Sequence, residues 1–198
     1  MPGGDGPGTG STLLVLHGTG GDENDLLPLA RELAPGANLL SPRGPVLEHG
    51  MPRFFRRLGV GVFDLEDLAR RTEELGRFAR SAAARYGFDP ARLIALGYSN
   101  GANIGASLLL TDGTALGGAV LLRPMLPFEP ERLPDLAGKG VLIAAGRRDP
   151  YASPASVAAL AERLRAAGAE VELAWSDGAH ALEPQELESA RAWLARHC

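Results

Sequence analysis

The chain has 198 residues, of which 45% are hydrophobic and 22% are charged, and its formal net charge at pH 7 is −4. A chain of this length and composition is expected to fold as a single globular domain with a sizeable core, which excludes the disordered and fibrous classes. Its acidic and basic residues are mixed, without the basic footprint of a nucleic-acid binder, and no apolar run is long enough to span a membrane.

The chain begins with a segment, residues 1–11, that contains five glycines and two prolines and almost nothing apolar. We therefore predict a flexible tail over 1–11 and a single domain over 12–198. The tail has neither the basic start nor the apolar core of a secretion signal. The one cysteine, Cys198, excludes an intramolecular disulfide and a cysteine zinc cluster. These features together favour a cytoplasmic location for the protein.

Six short apolar runs alternate with segments of helical length from Thr12 onward. Most of the runs are continuously apolar, which is typical of strands covered on both faces. The predicted strands are 12–16, 37–40, 92–96, 118–122, 140–145 and 171–175. The predicted helices are 22–34, 64–86, 100–110, 154–167 and 183–196. In the longest helix, Asp64 is the expected N-cap and Gly87 the expected stop.

This alternation predicts a twisted, open sheet of about six mainly parallel strands with helices on both faces. Ligands bind such sheets at the carboxyl ends of the strands. The longest connection, residues 41–64, is a candidate functional loop because long loops in compact domains often have a function.

The one G-x-S-x-G sequence of the chain spans residues 97–101, between a predicted strand and a predicted helix. A nucleophilic serine on so tight a turn needs small neighbours, and Gly97 and Gly101 are glycines. The N-terminus of the following helix favours negative charge beside Ser99. A serine that only caps a helix fits the same five residues, so the motif alone does not show that Ser99 is a nucleophile.

A serine nucleophile needs a base and a group that orients the base. His180 follows the last predicted strand in a glycine-containing loop, which places it at the same sheet edge as Ser99. Asp149 follows the strand 140–145, and the chain order Ser, Asp, His occurs in triads on sheets of this kind. Asp177 is the alternative acid, although the turn around it also suits a loop cap.

A glycine-rich segment, His17-Gly18-Thr19-Gly20-Gly21, ends the first predicted strand. Its backbone amides can approach a tetrahedral oxyanion, which we expect to be bound by the amides of Thr19 and Asn100. A phosphate-binding loop is the alternative, but the sequence has neither G-x-G-x-x-G nor a Gly-Lys-Ser/Thr ending here.

Six segments together resemble the phospholipase/carboxylesterase branch of the α/β-hydrolases, and especially its small bacterial members of the YahD and MhqD type. The segments are LHGTGGDE (16–23), GMPRFFRRLGVGVFDLEDL (50–68), GYSNGAN (97–103), LLRPM (121–125), GRRDP (146–150) and GAHAL (178–182). The resemblance implies a compact α/β-hydrolase fold without a lid domain, a triad of Ser99, Asp149 and His180, an oxyanion hole at Thr19 and Asn100, and neither metal nor cofactor.

The sequence departs from this family's pattern in two places. The strands that usually precede the oxyanion loop are missing, which implies a smaller sheet with an altered edge. The segment Tyr151-Ala152-Ser153-Pro154, after the proposed acid, differs from the family's usual valine- and proline-rich version and could reshape one pocket wall.

Four residues form the predicted substrate pocket: Arg53, Phe54, Arg123 and Met125. An arginine fork matches carboxylates, so Arg53 or Arg123 would favour substrates with an acidic group. The alternative is that these arginines form surface or structural ion pairs. The aromatic residues of the long loop either cover a short acyl group or anchor the loop to the core.

The sequence thus predicts a serine carboxylic-ester hydrolase that acts on small or short-acyl esters through an acyl-enzyme. A thioesterase of the acyl-protein or acyl-CoA type would use the same residues, and acyl transfer or lyase chemistry is a weaker alternative. A non-catalytic binding module would need a missing triad element, and all three are present. The expected partner is a small-molecule ester, with no nucleic acid and no membrane insertion; a homodimer is left open.

Overall fold

The computed structural model of the protein describes residues 10–198, so the predicted flexible tail lies outside the described residues except for its last two. The strands are β1 (Thr12–Leu16), β2 (Asn38–Leu40), β3 (Val46–Glu48), β4 (Met51–Arg53), β5 (Arg57–Gly59), β6 (Val62–Phe63), β7 (Leu93–Tyr98), β8 (Gly118–Leu122), β9 (Gly140–Gly146) and β10 (Glu170–Ser176). The helices are α1 (Leu27–Leu33), α2 (Leu65–Tyr86), α3 (Asn100–Thr111), α4 (Pro154–Ala166) and α5 (Pro184–His197), with a 3₁₀ turn at Pro90–Arg92.

Within the described residues, six parallel strands form the central sheet in the order β10-β9-β8-β7-β1-β2. Successive strand residues point to opposite faces. Leu14 and Leu16 of β1 pack into a core with α2, α3 and α4, whereas Leu13 and Val15 pack into a second core with α1 and α5. Helices therefore cover both faces of the sheet, as predicted.

The predicted helix 22–34 is wrong at its start, because α1 begins only at Leu27. The Asp22 side chain accepts a hydrogen bond from the Asn24 amide, and the Asp25 amide bonds to the Asp22 carbonyl. These local bonds hold the segment in turns instead of a helix. By contrast, Asp64 caps α2 as predicted by accepting from the Asp67 amide at 3.0 Å.

The long connection 41–64 contains two short antiparallel hairpins, β3–β4 and β5–β6, that were not predicted. Strands of two or three residues are too short to show a period in the sequence. Phe54 and Phe55 anchor this connection in the core, at 2% and 0% exposure. The hairpins thereby reach the carboxyl ends of β1 and β7, where the candidate site lies. Among residues 10–198, no helix has the length and hydropathy of a membrane span.

Candidate active site

Ser99 occupies a sharp turn between β7 and α3. Its φ of 52° and ψ of −112° are strained for a residue with a side chain. A Cβ added to Gly97 would lie 2.6 Å from the Gly101 carbonyl oxygen, and one added to Gly101 would lie 2.0 Å from that of Leu16. Both positions therefore require glycine, which explains the spacing of the motif. The Ser99 amide donates to the Leu122 carbonyl at 2.8 Å, which ties the turn to β8.

His180 lies between Ser99 and Asp149. Its Nε2 is 2.9 Å from Ser99 Oγ, and its Nδ1 is 2.8 Å from Asp149 Oδ2. The other carboxylate oxygen, Oδ1, accepts from the Tyr151 amide at 2.8 Å and the Ala152 amide at 3.3 Å. With its side chain 1% exposed, Asp149 holds one orientation toward the imidazole. His180 is thus placed to exchange a proton with Ser99, and Asp149 is placed to fix the tautomer of the imidazole.

The alternative acid, Asp177, does not take part in this arrangement. Its side chain is 90% exposed and lies 4.0 Å from the Arg147 guanidinium. Of the two acids considered from the sequence, the structure brings only Asp149 to His180.

Thr19 and Asn100, the predicted oxyanion-hole residues, both border the cavity that contains Ser99. The last residue of the first β hairpin and the residue after it contact these two: Arg53 Nη1 donates to Thr19 Oγ1 at 2.5 Å, and the Phe54 amide donates to Asn100 Oδ1 at 2.7 Å. Asn100 is the first residue of α3, where backbone amides have no intrahelical acceptor. Within residues 10–198, neither the Thr19 nor the Asn100 amide has a protein acceptor. Both amides are thus available to an anionic oxygen.

The cavity beside Ser99 and His180 has a volume of about 400 Å³. One part of its wall is apolar and consists of Met51, Val60, Phe63 and Met125. The rings of Tyr98 and Tyr151 flank the imidazole, with centroids 5.4 and 4.8 Å from it. In the part of the chain that the structure describes, no cluster of three histidine, cysteine or acidic residues is placed to hold a metal ion.

Of the four predicted pocket residues, Arg53 and Met125 line this cavity, whereas Phe54 and Arg123 do not. Phe54 instead packs in the core against the His17 ring, 4.7 Å away. The Arg123 side chain is 0% exposed and forms an ion pair with Glu186, so the interpretation of Arg123 as a pocket residue is corrected. Its guanidinium already has partners inside the protein.

Three further polar residues line the cavity and are not among the predicted pocket residues: Arg57, Tyr98 and Asn103. A usable signal existed for two of them. Tyr98 is a variable position inside the G-x-S-x-G motif itself, and Asn103 lies one helical turn after Ser99. Tyr151, in the segment that departs from the family pattern, also lines the cavity.

The charged wall of the cavity consists of Arg53 and Arg57, which share one carboxylate, Glu48. Arg57 Nε lies 2.9 Å from Glu48 Oε1, and Arg53 Nε lies 3.2 Å from Glu48 Oε2. Burial and then the positive charge of Arg57 lower the pKa of the Arg53 guanidinium. The three side chains leave an excess of one positive charge at this wall.

Comparison with known proteins identifies close relatives, although no protein-family model matches the chain. The chain is 51% identical over 183 residues to a protein named "Putative hydrolase MhqD" from Bacillus subtilis strain 168, and the match covers 92% of each. A solved carboxylesterase from Bacillus cereus is 50% identical, with a TM-score of 0.93 over 96% of this chain and 90% of the other. YahD, solved with malic acid, is 31% identical, with a TM-score of 0.90 over 96% and 94%.

Proposed function

The chain belongs to the phospholipase/carboxylesterase family of the α/β-hydrolases and is an enzyme of the carboxylesterase type, and from this we propose that it hydrolyses small carboxylic esters with Ser99 as nucleophile. The observation that carries the proposal is the continuous line of hydrogen bonds from Ser99 through His180 to Asp149. Hydrogen bonds of 2.9 and 2.8 Å are within the range that proton transfer and orientation of the base require.

Acylation begins when Ser99 Oγ attacks the ester carbonyl carbon while His180 Nε2 accepts the serine proton. The carbonyl oxygen becomes an oxyanion, which accepts hydrogen bonds from the Thr19 and Asn100 amides. The intermediate collapses when His180 returns the proton to the departing alcohol, leaving an acyl-serine. Asp149 stays ionised throughout and stabilises the imidazolium.

Deacylation repeats these steps with water. His180 takes a proton from the water as it attacks the acyl-serine. It then returns this proton to Ser99 Oγ as the acyl bond breaks, which regenerates the serine and releases the carboxylic acid. A cavity of about 400 Å³ with a partly apolar wall supports small or short-acyl esters as substrates.

A fluorophosphonate tests the proposal without a guess at the natural ester, because it reacts with activated serines. We expect intact-mass analysis to show one adduct on the wild type and none on Ser99→Ala. Ser81→Ala is the matched control, since Ser81 is exposed on α2, and it should keep the adduct. A wild type without an adduct, or an adduct on Ser99→Ala, would overturn the assignment of the nucleophile.

The charged wall supports a finer proposal, that the preferred esters carry a carboxylate. Among residues 10–198, the terminal nitrogens of Arg57 have no hydrogen-bond acceptor, so this side of its guanidinium fork is available to a ligand. Glu48 neutralises one of the two positive charges and leaves the other for the substrate. The malic acid of the YahD structure, a dicarboxylic acid, is consistent with such a substrate class in this family.

This finer proposal is tested with two esters of similar length, monoethyl succinate and ethyl butyrate. Arg57→Met is expected to lower kcat/KM for monoethyl succinate by about tenfold, the magnitude of one charge-assisted hydrogen bond, and to change that for ethyl butyrate little. Arg56→Met is the matched control, because Arg56 is 61% exposed and paired with Asp64. If the ratio of the two kcat/KM values is the same in wild type and Arg57→Met, the preference for a carboxylate is refuted.

A further inference from the structure

The buried side chain of Arg123 binds the loop that carries His180. Arg123 directly follows β8, and its side chain is 0% exposed. Its Nε donates to the carbonyl oxygen of His180 at 3.2 Å, and its Nη2 donates to that of Ala181 at 2.6 Å. One guanidinium thus binds two successive carbonyls of the loop, and the first belongs to the proposed base itself.

The carbonyl of His180 has a second donor, the hydroxyl of Tyr98, at 3.1 Å. Burial raises the pKa of this phenol, so it remains protonated and able to donate. Tyr98 directly precedes Ser99, and the Ser99 amide is bound to the carbonyl of Leu122, the neighbour of Arg123. The nucleophile is therefore anchored to the backbone of Leu122, and the base is anchored to the side chain of the next residue, Arg123.

Glu186 in α5 neutralises Arg123 and holds both ends of the same loop. It is 1% exposed, accepts from Ser176 Oγ at 2.7 Å before the loop, and accepts from the Glu183 amide at 2.9 Å after it. A buried ion pair contributes little net stability compared with apolar side chains of similar volume. Stability alone therefore does not account for a charged pair whose hydrogen bonds all end on the loop or its borders.

We propose that Arg123 is a positioning residue for His180, acting together with Tyr98 and Glu186. This role rests on the proposed function of the Ser99–His180–Asp149 triad. By fixing the His180 carbonyl, Arg123 holds the imidazole within 2.9 Å of Ser99 Oγ. Loss of the two carbonyl bonds lets the loop shift, and a displacement of about 1 Å costs on the order of 100-fold in rate. Arg123 does not line the cavity, so it does not itself contact a substrate there.

The decisive variant is Arg123→Met/Glu186→Gln, which removes both buried charges at once and so leaves neither unpaired. The glutamine keeps an oxygen that can accept from the Glu183 amide. We expect kcat for ethyl butyrate to fall by about 10- to 100-fold, with KM within about twofold of the wild type and a melting temperature close to it. Arg123→Lys, which keeps the charge but lacks the planar fork that binds both carbonyls, should recover part of the lost kcat.

The matched control is Arg163→Met/Glu129→Gln, which removes an exposed ion pair with a 2.8 Å contact and should leave kcat unchanged. A folded Arg123→Met/Glu186→Gln variant with the kcat of the wild type would overturn the proposal. If this variant does not fold, Tyr98→Phe decides: we expect a loss in kcat of about 3- to 10-fold for one hydrogen bond, and an unchanged kcat overturns the proposal. A wild type that forms no fluorophosphonate adduct would instead overturn the proposed function.

Discussion

Replacing Ser99 with alanine is expected to lower kcat for ester hydrolysis by about 10⁵- to 10⁶-fold, the size of effect seen when a serine hydrolase loses its nucleophile. Ser99 Oγ forms the acyl bond, and alanine has no atom that can replace it. The variant should fold, because alanine at φ 52° is no more strained than serine and the backbone bond to Leu122 remains. Steady-state hydrolysis of ethyl butyrate and thermal melting measure the two expectations separately.

A second substitution in the same background makes the test sharper. If Ser99 and His180 act as one unit, the double variant Ser99→Ala/His180→Ala should be no slower than Ser99→Ala alone. Multiplying losses would contradict the shared role that their 2.9 Å contact supports. Ser81→Ala, on the exposed face of α2, controls for the loss of a serine and should hydrolyse the ester at the rate of the wild type.

Replacing Asp149 with asparagine is expected to lower kcat by about 10⁴-fold with little change in structure. The asparagine oxygen can still accept from the Tyr151 and Ala152 amides, so the turn after β9 is retained. Its amide NH₂, however, faces His180 Nδ1 and favours the tautomer whose proton is on Nε2. That tautomer cannot accept the proton of Ser99. The pre-steady-state rate of acylation should fall by the same factor as kcat, because acylation needs the base.

Asp177→Asn is the matched control for this experiment, since it changes the rival acid in the same chemical way. Asp177 is 90% exposed, and its substitution should leave kcat within about twofold. The opposite result, a large loss at Asp177 and none at Asp149, would mean that the acid of the triad has been assigned to the wrong residue.

Two of the loop and strand-end arginines show why residue type alone did not predict the pocket. Arg53 and Arg123 are both buried, and the sequence predicts that one or the other favours substrates with an acidic group, with structural ion pairs as the alternative. Arg53 reaches Thr19 and lines the cavity, whereas Arg123 reaches the His180 loop and pairs with Glu186. The sequence has an arginine in both places. Only the partners from distant segments of the chain distinguish Arg53, a pocket residue, from Arg123, a positioning residue.

The sequence by itself determined the central sheet, the longest helix and the positions of the proposed triad. Runs such as 12–16 and 118–122 are continuously apolar, a local property that requires burial on both faces. Parallel strands end at one edge of the sheet, so Ser99, Asp149 and His180, each following a strand, were expected to meet there.

Only the tertiary structure decided how the loops over that edge are arranged. The hairpins within residues 41–64 have no periodic pattern, because their strands are two or three residues long. Their conformation depends on contacts between distant segments, such as the bond from the Phe54 amide to Asn100, 46 residues away. Contacts of that separation leave no local pattern in the sequence, so the charged wall of the cavity and the buried support of His180 appear only in the folded chain.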